Sequence, residues 1–249
     1  MASASASTAV LKTEARLLTR EPGVLFWIIA FPTLLMVILG LIPGFDDADP
    51  DLGGRRVIDL YVPVAALLAV IMAGLQAMPP ILIGYRERGI LRRMSTTPVR
   101  PATLLTSQII LLGGGAFASA ALVIAVGRIG FGVPLPENIA GYLLALVLAT
   151  AGALAMGGLV CAIAPTQRAG QAIGSALFFP SMFTAGVWLP VQTMPDLLRD
   201  IVGYSPMGAS SEALDAAMRG GWPHWVDLLV MALWAGLLTA GAARWFRWE

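Results

Sequence analysis

The side chains that most often do chemistry are scarce in this 249-residue sequence, and the scarcity excludes whole classes of reaction. Lys12 is the only lysine, and no G-x-x-x-x-G-K-[ST] run surrounds it, so the chain has no P-loop of its own to cradle phosphates. His224 is the only histidine, which excludes an H-E-x-x-H protease and a histidine-rich metal site. Cys161, the only cysteine, cannot form an internal disulfide and reads as a small packed hydrophobe. What remains is chemistry of binding, carried by two basic segments and a scatter of neutral polar residues.

In the first segment Lys12, Arg16 and Arg20 recur every four residues, with Val10, Leu11, Leu17 and Leu18 on the other side. This pattern predicts an in-plane helix over 1–23, lying at the headgroup level and ended by Glu21-Pro22-Gly23; simple topogenic charge is the plainer alternative. The low-complexity start Ala2–Ser7 is expected to fray. The second segment runs from Tyr85 to Pro101. Ile90, Leu91 and Met94 provide an apolar edge, and Arg88, Arg92 and Arg93 a basic one. A short amphipathic helix followed by a proline-restricted turn would offer both edges to another protein.

The elements that hold these segments are membrane spans. The chain is 57% hydrophobic and 12% charged, with mean hydropathy +0.79; soluble domains carry roughly 25% charge. Six stretches reach the roughly 20 helical residues that a hydrocarbon core requires. They are 24–42, 60–83, 102–126, 141–163, 172–189 and 225–243, giving an all-α, six-span membrane domain over 1–249. The first ends in Leu41-Ile42-Pro43-Gly44 without a small-x-small cleavage pattern, so it is expected to be retained. Pro32, Pro63, Pro79 and Pro80 are expected to kink the first two spans or end the second early. Gly170 and Gly174 form a small-xxx-small pair for close helix contact. Lys12, Arg16, Arg20, Arg86, Arg88, Arg92, Arg93, Arg100, Arg168, Arg244 and Arg247 fall on one side, and most acids on the other. The positive-inside rule then places both termini in the cytoplasm.

Glu87, Arg88, Gly89, Leu91, Arg92, Thr97, Pro98 and Val99 resemble the signature of the ABC type-2 exporter permeases, which include drug exporters of the daunorubicin-resistance type. The resemblance implies that Glu87 to Met94, Arg93 included, is a coupling helix that docks on a separate ATP-binding subunit. Ala185 to Pro190, Met194 to Leu198 and Tyr204 to Pro206 are similar to the family's outer region. That similarity implies short re-entrant helices and an exit gate involving Gly186, Trp188, Pro190, Met194, Pro195 and Pro206. It further implies a bacterial inner-membrane protein, paired with a second permease copy, identical or sibling. ATP and Mg would sit on the partner subunit, with no cofactor, metal, nucleic acid or enzymatic activity on this chain. Membrane lipids and a small-molecule substrate would be its other contacts.

In the family the path runs between protomers along the first, second and fifth spans, where Gln76, Gln171, Ser175 and Thr184 are candidate contacts. A proton-coupled carrier buries carboxylates or histidines in its spans, and apart from Asp227, at the lip of the last one, these spans offer only neutral polar groups. Energy is therefore expected from outside the chain, and the apolar spans suit an amphipathic or hydrophobic solute such as a drug, antibiotic or lipid-like molecule. The alternative is an uncoupled facilitator or scaffold without an ATPase. An intramembrane enzyme lacks a carboxylate pair or metal set for His224 to work with.

Overall fold

With no water in a hydrocarbon core, a chain this apolar must pair its backbone groups within helices. The computed structural model, which describes residues 2–52, 54–94 and 101–245, does so. Helix α1 (Ala2–Leu18) leads into α2 (Pro22–Gly40). Two-residue strands β1 (Ala48–Asp49) and β2 (Arg55–Arg56) pair antiparallel before the long α3 (Val57–Glu87). There follow α4 (Ile90–Met94), α5 (Pro101–Phe131), α6 (Ile139–Ile163) and α7 (Gln167–Thr184). Two short helices, α8 (Asp196–Gly203) and α9 (Pro206–Met218), precede α10 (Trp225–Trp245).

Among the described residues, α2, α3, α5, α6 and α10 are long and apolar enough to cross a membrane. The sequence reading expected six such stretches. The fifth of them, α7, has 18 residues, about 27 Å at 1.5 Å per residue, but Gln167, Arg168 and Gln171 fill its first turns. It starts at Gln167 rather than Ala172, because Thr166 caps it by accepting from the Ala169 N–H. It stops at Thr184 rather than Leu189, because the chain turns at Gly186, whose φ of 88° favours glycine. The first helix also departs from expectation. Helicity begins at Ala2 and ends at Leu18, so Arg20 lies in a turn outside the basic stripe.

The prolines do not end α3. A π-helical turn over Met72–Ala77 directly precedes Pro79 and Pro80, and another over Phe26–Ala30 precedes Pro32 in α2. Each proline removes a donor and crowds the carbonyl four residues back; widening the preceding turn relieves both defects. Helix α3 is the centre of the bundle, with 94% of its most apolar window buried against 6% for the peripheral α10.

Glycines let neighbouring helices reach the widened turn. A Cβ on Gly157 of α6 would collide with the Gly74 carbonyl, and one on Gly174 of α7 would lie 2.6 Å from the Leu75 oxygen. The Gly170/Gly174 pair is thus used in packing, since Gly170 abuts the Ile83 side chain.

Replacing Gly157 with alanine forces the backbone of α3 to move, which predicts a loss of about 1–3 kcal/mol, the usual cost of overpacking. Gly158→Ala is the control, since its nearest neighbours are side-chain atoms at 3.8 and 4.0 Å. Thermal unfolding in detergent should show a lowered midpoint for the first variant and almost none for the second.

Candidate functional site

The last turn of α3 carries the charged segment singled out in the sequence, and most of its polar groups are engaged within the chain. Arg86 donates to the Cys161 carbonyl at 3.1 Å and to the Ala164 carbonyl, satisfying the C-terminal end of α6. Glu87 accepts from the Gln167 N–H at 2.8 Å, at the electropositive start of α7. Gly89, at φ 66°, turns the chain into α4.

This arrangement shortens the expected helix of Glu87 to Met94. Glu87 belongs to α3 and caps α7, the helical part is only Ile90–Met94, and Leu91 is 2% exposed, packed inward rather than offered at an edge. Arg88 and Arg93 are exposed, and Arg93 donates to the Arg88 carbonyl at 3.0 Å. The side chains of Arg92 and Met94, and all of Thr97, Pro98, Val99 and Arg100, lie outside the described residues, as does Arg247.

Helix α1 packs along α5. Lys12 and Arg16 are exposed, as a headgroup-facing stripe requires, but the inward face differs from the expected one. Leu17 is 44% exposed, whereas Glu14 is buried between Leu11 and Leu18. One carboxylate oxygen of Glu14 accepts from the Tyr85 hydroxyl at 2.8 Å and from the Gln108 amide at 2.6 Å. The sequence reading missed this carboxylate because it counted only residues inside the spans. Its signal was a lone acid on the Leu11, Ala15, Leu18 face of an amphipathic helix. Glu14 thus brings a buried carboxylate to the bundle from outside the spans.

Three of the four candidate path residues come together. Gln76, Gln171 and Ser175 border a groove of ≈ 390 Å³ with Trp27, Met72, Phe178 and Phe179. Helix α3 forms its floor, and α2 and α7 form its walls. Thr184 is not among its lining residues, and its hydroxyl donates to the Ser181 carbonyl.

At the opposite end the six candidate outer residues shape one assembly. Gly186 makes the turn after α7, Pro195 precedes α8 as its N-cap, and Pro206 opens α9. Met194 is buried in a small cluster with Val191 and Val202, Pro190 starts the 3-10 turn that carries Val191, and Trp188 is exposed. Ion pairs absent from the sequence reading tie this end together. Asp215 of α9, 1% exposed, takes both Nη atoms of Arg55, at 2.6 and 3.3 Å, and also pairs with Arg219. Arg56 caps α3 with Asp59 and reaches Asp46 and the Phe131 carbonyl. The hydrogen bond that Arg56 donates to Asp59, outweighing burial, holds its guanidinium above the ordinary pKa, and the bond of Arg199 to Glu212 does the same there.

A protein-family model described as ABC-2 type transporter matches residues 6–218, from α1 to the end of α9. No curated protein matches the chain.

Because Glu87 caps α7, Glu87→Ala should destabilise the isolated chain by about 1 kcal/mol, as loss of a helix N-terminal acceptor does. A residue used only for docking would leave the melting midpoint of the isolated chain unchanged, so thermal unfolding without any partner decides between the two roles.

Proposed function

The chain belongs to the ABC-2 type transporter family of multi-pass membrane permeases that work with an ATP-binding partner, and from that premise we propose that it exports an amphipathic or hydrophobic solute from the cytoplasm. The observation that carries this reading is the groove over α3. Its walls are aromatic and apolar, yet Gln76, Gln171 and Ser175 open onto it, and Gln171 is exposed. Uncovered amides are poorly served by hydrocarbon. A second copy of the permease, identical or sibling, would cover them and leave a path between protomers. With no charged side chain in its lining, the groove suits the apolar body of a drug, antibiotic or lipid-like molecule better than a bare ion.

The distribution of basic residues supports an orientation. At the end that holds α8 and α9, Arg55, Arg56, Arg199 and Arg219 are each paired with a carboxylate, and Arg128 is exposed. Lys12, Arg16, Arg20, Arg88, Arg93 and Arg244, at the other end, are exposed. The positive-inside rule makes that second end cytoplasmic, in a bacterial inner membrane with both termini inside. The same basic surface around α4 is the docking place for the ATP-binding subunit, which holds ATP and Mg.

Co-reconstitution of the chain with its ATP-binding partner in proteoliposomes tests this reading. ATP should drive export of a fluorescent amphipath, and Ser175→Trp, which fills the groove, should reduce transport at least tenfold while the complex persists. Charge reversal at Arg92 and Arg93 together should abolish co-purification of the partner. Solute movement by the chain alone, powered by a pH gradient, would refute the ATP-driven reading.

A further inference from the structure

The cavity bordered by α1, α3 and α5 is chemically unlike the rest of the bundle. It holds ≈ 330 Å³, with Leu18, Val24, Pro80 and Ile81 as apolar wall. Its charged lining is Glu14, Glu21 and Arg88. Glu21 and Arg88 are exposed and opposite in sign, which leaves Glu14, 7% exposed, as the uncompensated charge. Tyr85 and Gln108 satisfy only one of its oxygens, and both are neutral donors. Among the described residues no ion pair reaches Glu14 or Glu21.

A carboxylate withdrawn from water with no cation is costly unless a charge partner completes it. We propose that this cavity binds the alkylammonium group of an amphipathic amine, with Glu14 as counter-ion and Tyr85 and Gln108 as positioning residues that orient its carboxylate. The proposal rests on the permease reading above and names the substrate chemistry that reading leaves open. The apolar wall receives the first carbons of the amine's body. Gln76 borders both this cavity and the groove, so the remainder of that body extends toward the path. The ammonium group belongs either to a soluble amphiphile or to the headgroup of phosphatidylethanolamine.

The test uses the full-length chain in phosphatidylglycerol nanodiscs at neutral pH without nucleotide. The probes are dansylcadaverine, a fluorescent alkylamine, and its N-acetyl derivative, which keeps the shape and loses the charge. The amine should bind at least tenfold more tightly than the amide. Glu14→Gln should bring the amine down to the affinity of the amide and leave the amide unchanged. Tyr85→Phe should weaken the amine selectively; a merely structural role would weaken both probes alike. Equal binding of amine and amide by the unaltered chain overturns the proposal without requiring any variant to fold, and so does normal amine binding by Glu14→Gln. Adding phosphatidylethanolamine separates the two sources. Loss of probe binding assigns the site to the lipid headgroup, retained binding assigns it to a soluble amine, and both uphold an ammonium site. Transport of an amphipath driven by ATP but without charge preference in this binding assay would remove the site and leave the permease reading standing.

Discussion

Pro79 and Pro80 deprive α3 of two successive backbone donors in a part of the chain where water cannot replace them. The π turn at Met72–Ala77 resolves that conflict locally, and the packing of the bundle is arranged around it. Wide turns present carbonyls at unusual angles, and here those of Gly74 and Leu75 are met by Gly157 of α6 and Gly174 of α7. Any side chain at those glycines would hold the helices apart. The same wide turn displays Gln76, which borders both the cavity beside α1 and the groove. A defect in one helix thus sets the approach of two others and places the polar residue that both cavities share.

Charges are organised by a second constraint, that an ion at the edge of a membrane needs either water or a partner. At the α8–α9 end Arg55 anchors the β1–β2 connection to α9 through Asp215, and Arg56 ties α3 to the end of α5, while Arg128 stays exposed. At the other end Arg86 and Glu87 are spent on the termini of α6 and α7. Only the residues left over from this internal capping are free to meet another macromolecule.

The broad architecture was legible because membrane spans are written in composition. Long runs without charge admit only helices, and five of the expected stretches appear within a few residues of their predicted limits. The fifth, α7, was misplaced toward its apolar half, because apolarity alone does not register the Thr166 and Glu87 caps that extend it backward into polar residues. The π turns were not legible either; proline announces a fault but not how it is absorbed. For the site, Gln76, Gln171 and Ser175 were visible as polar interruptions, whereas Glu14, Arg55 and Asp215 acquire meaning only from contacts between residues 71 to 160 positions apart. Glu87 shows a further limit of sequence: its place in a charged loop suggested a partner outside the chain, and nothing there announced its bond to the start of α7.

The connectivity of these contacts bears on how a partner at α4 would act on the groove. Helix α4 follows α3 after Arg88 and Gly89, and α3 is bound at that point to α6 through Arg86 and to α7 through Glu87. A displacement of α4 is therefore passed to α3, α6 and α7 together, since moving one without the others breaks buried or charge-assisted bonds. Helix α1 is held differently, by the Glu14 contacts to Tyr85 and Gln108 and by its packing on α5. The groove lies over α3, with Trp27 of α2 on one wall and Gln171 and Phe179 of α7 on the other. Helices α2 and α7 both rest on α3, and the groove opens between them. A partner that moved α4 would therefore reach the groove through its floor and one wall, α3 and α7, which carry Gln76 and Gln171.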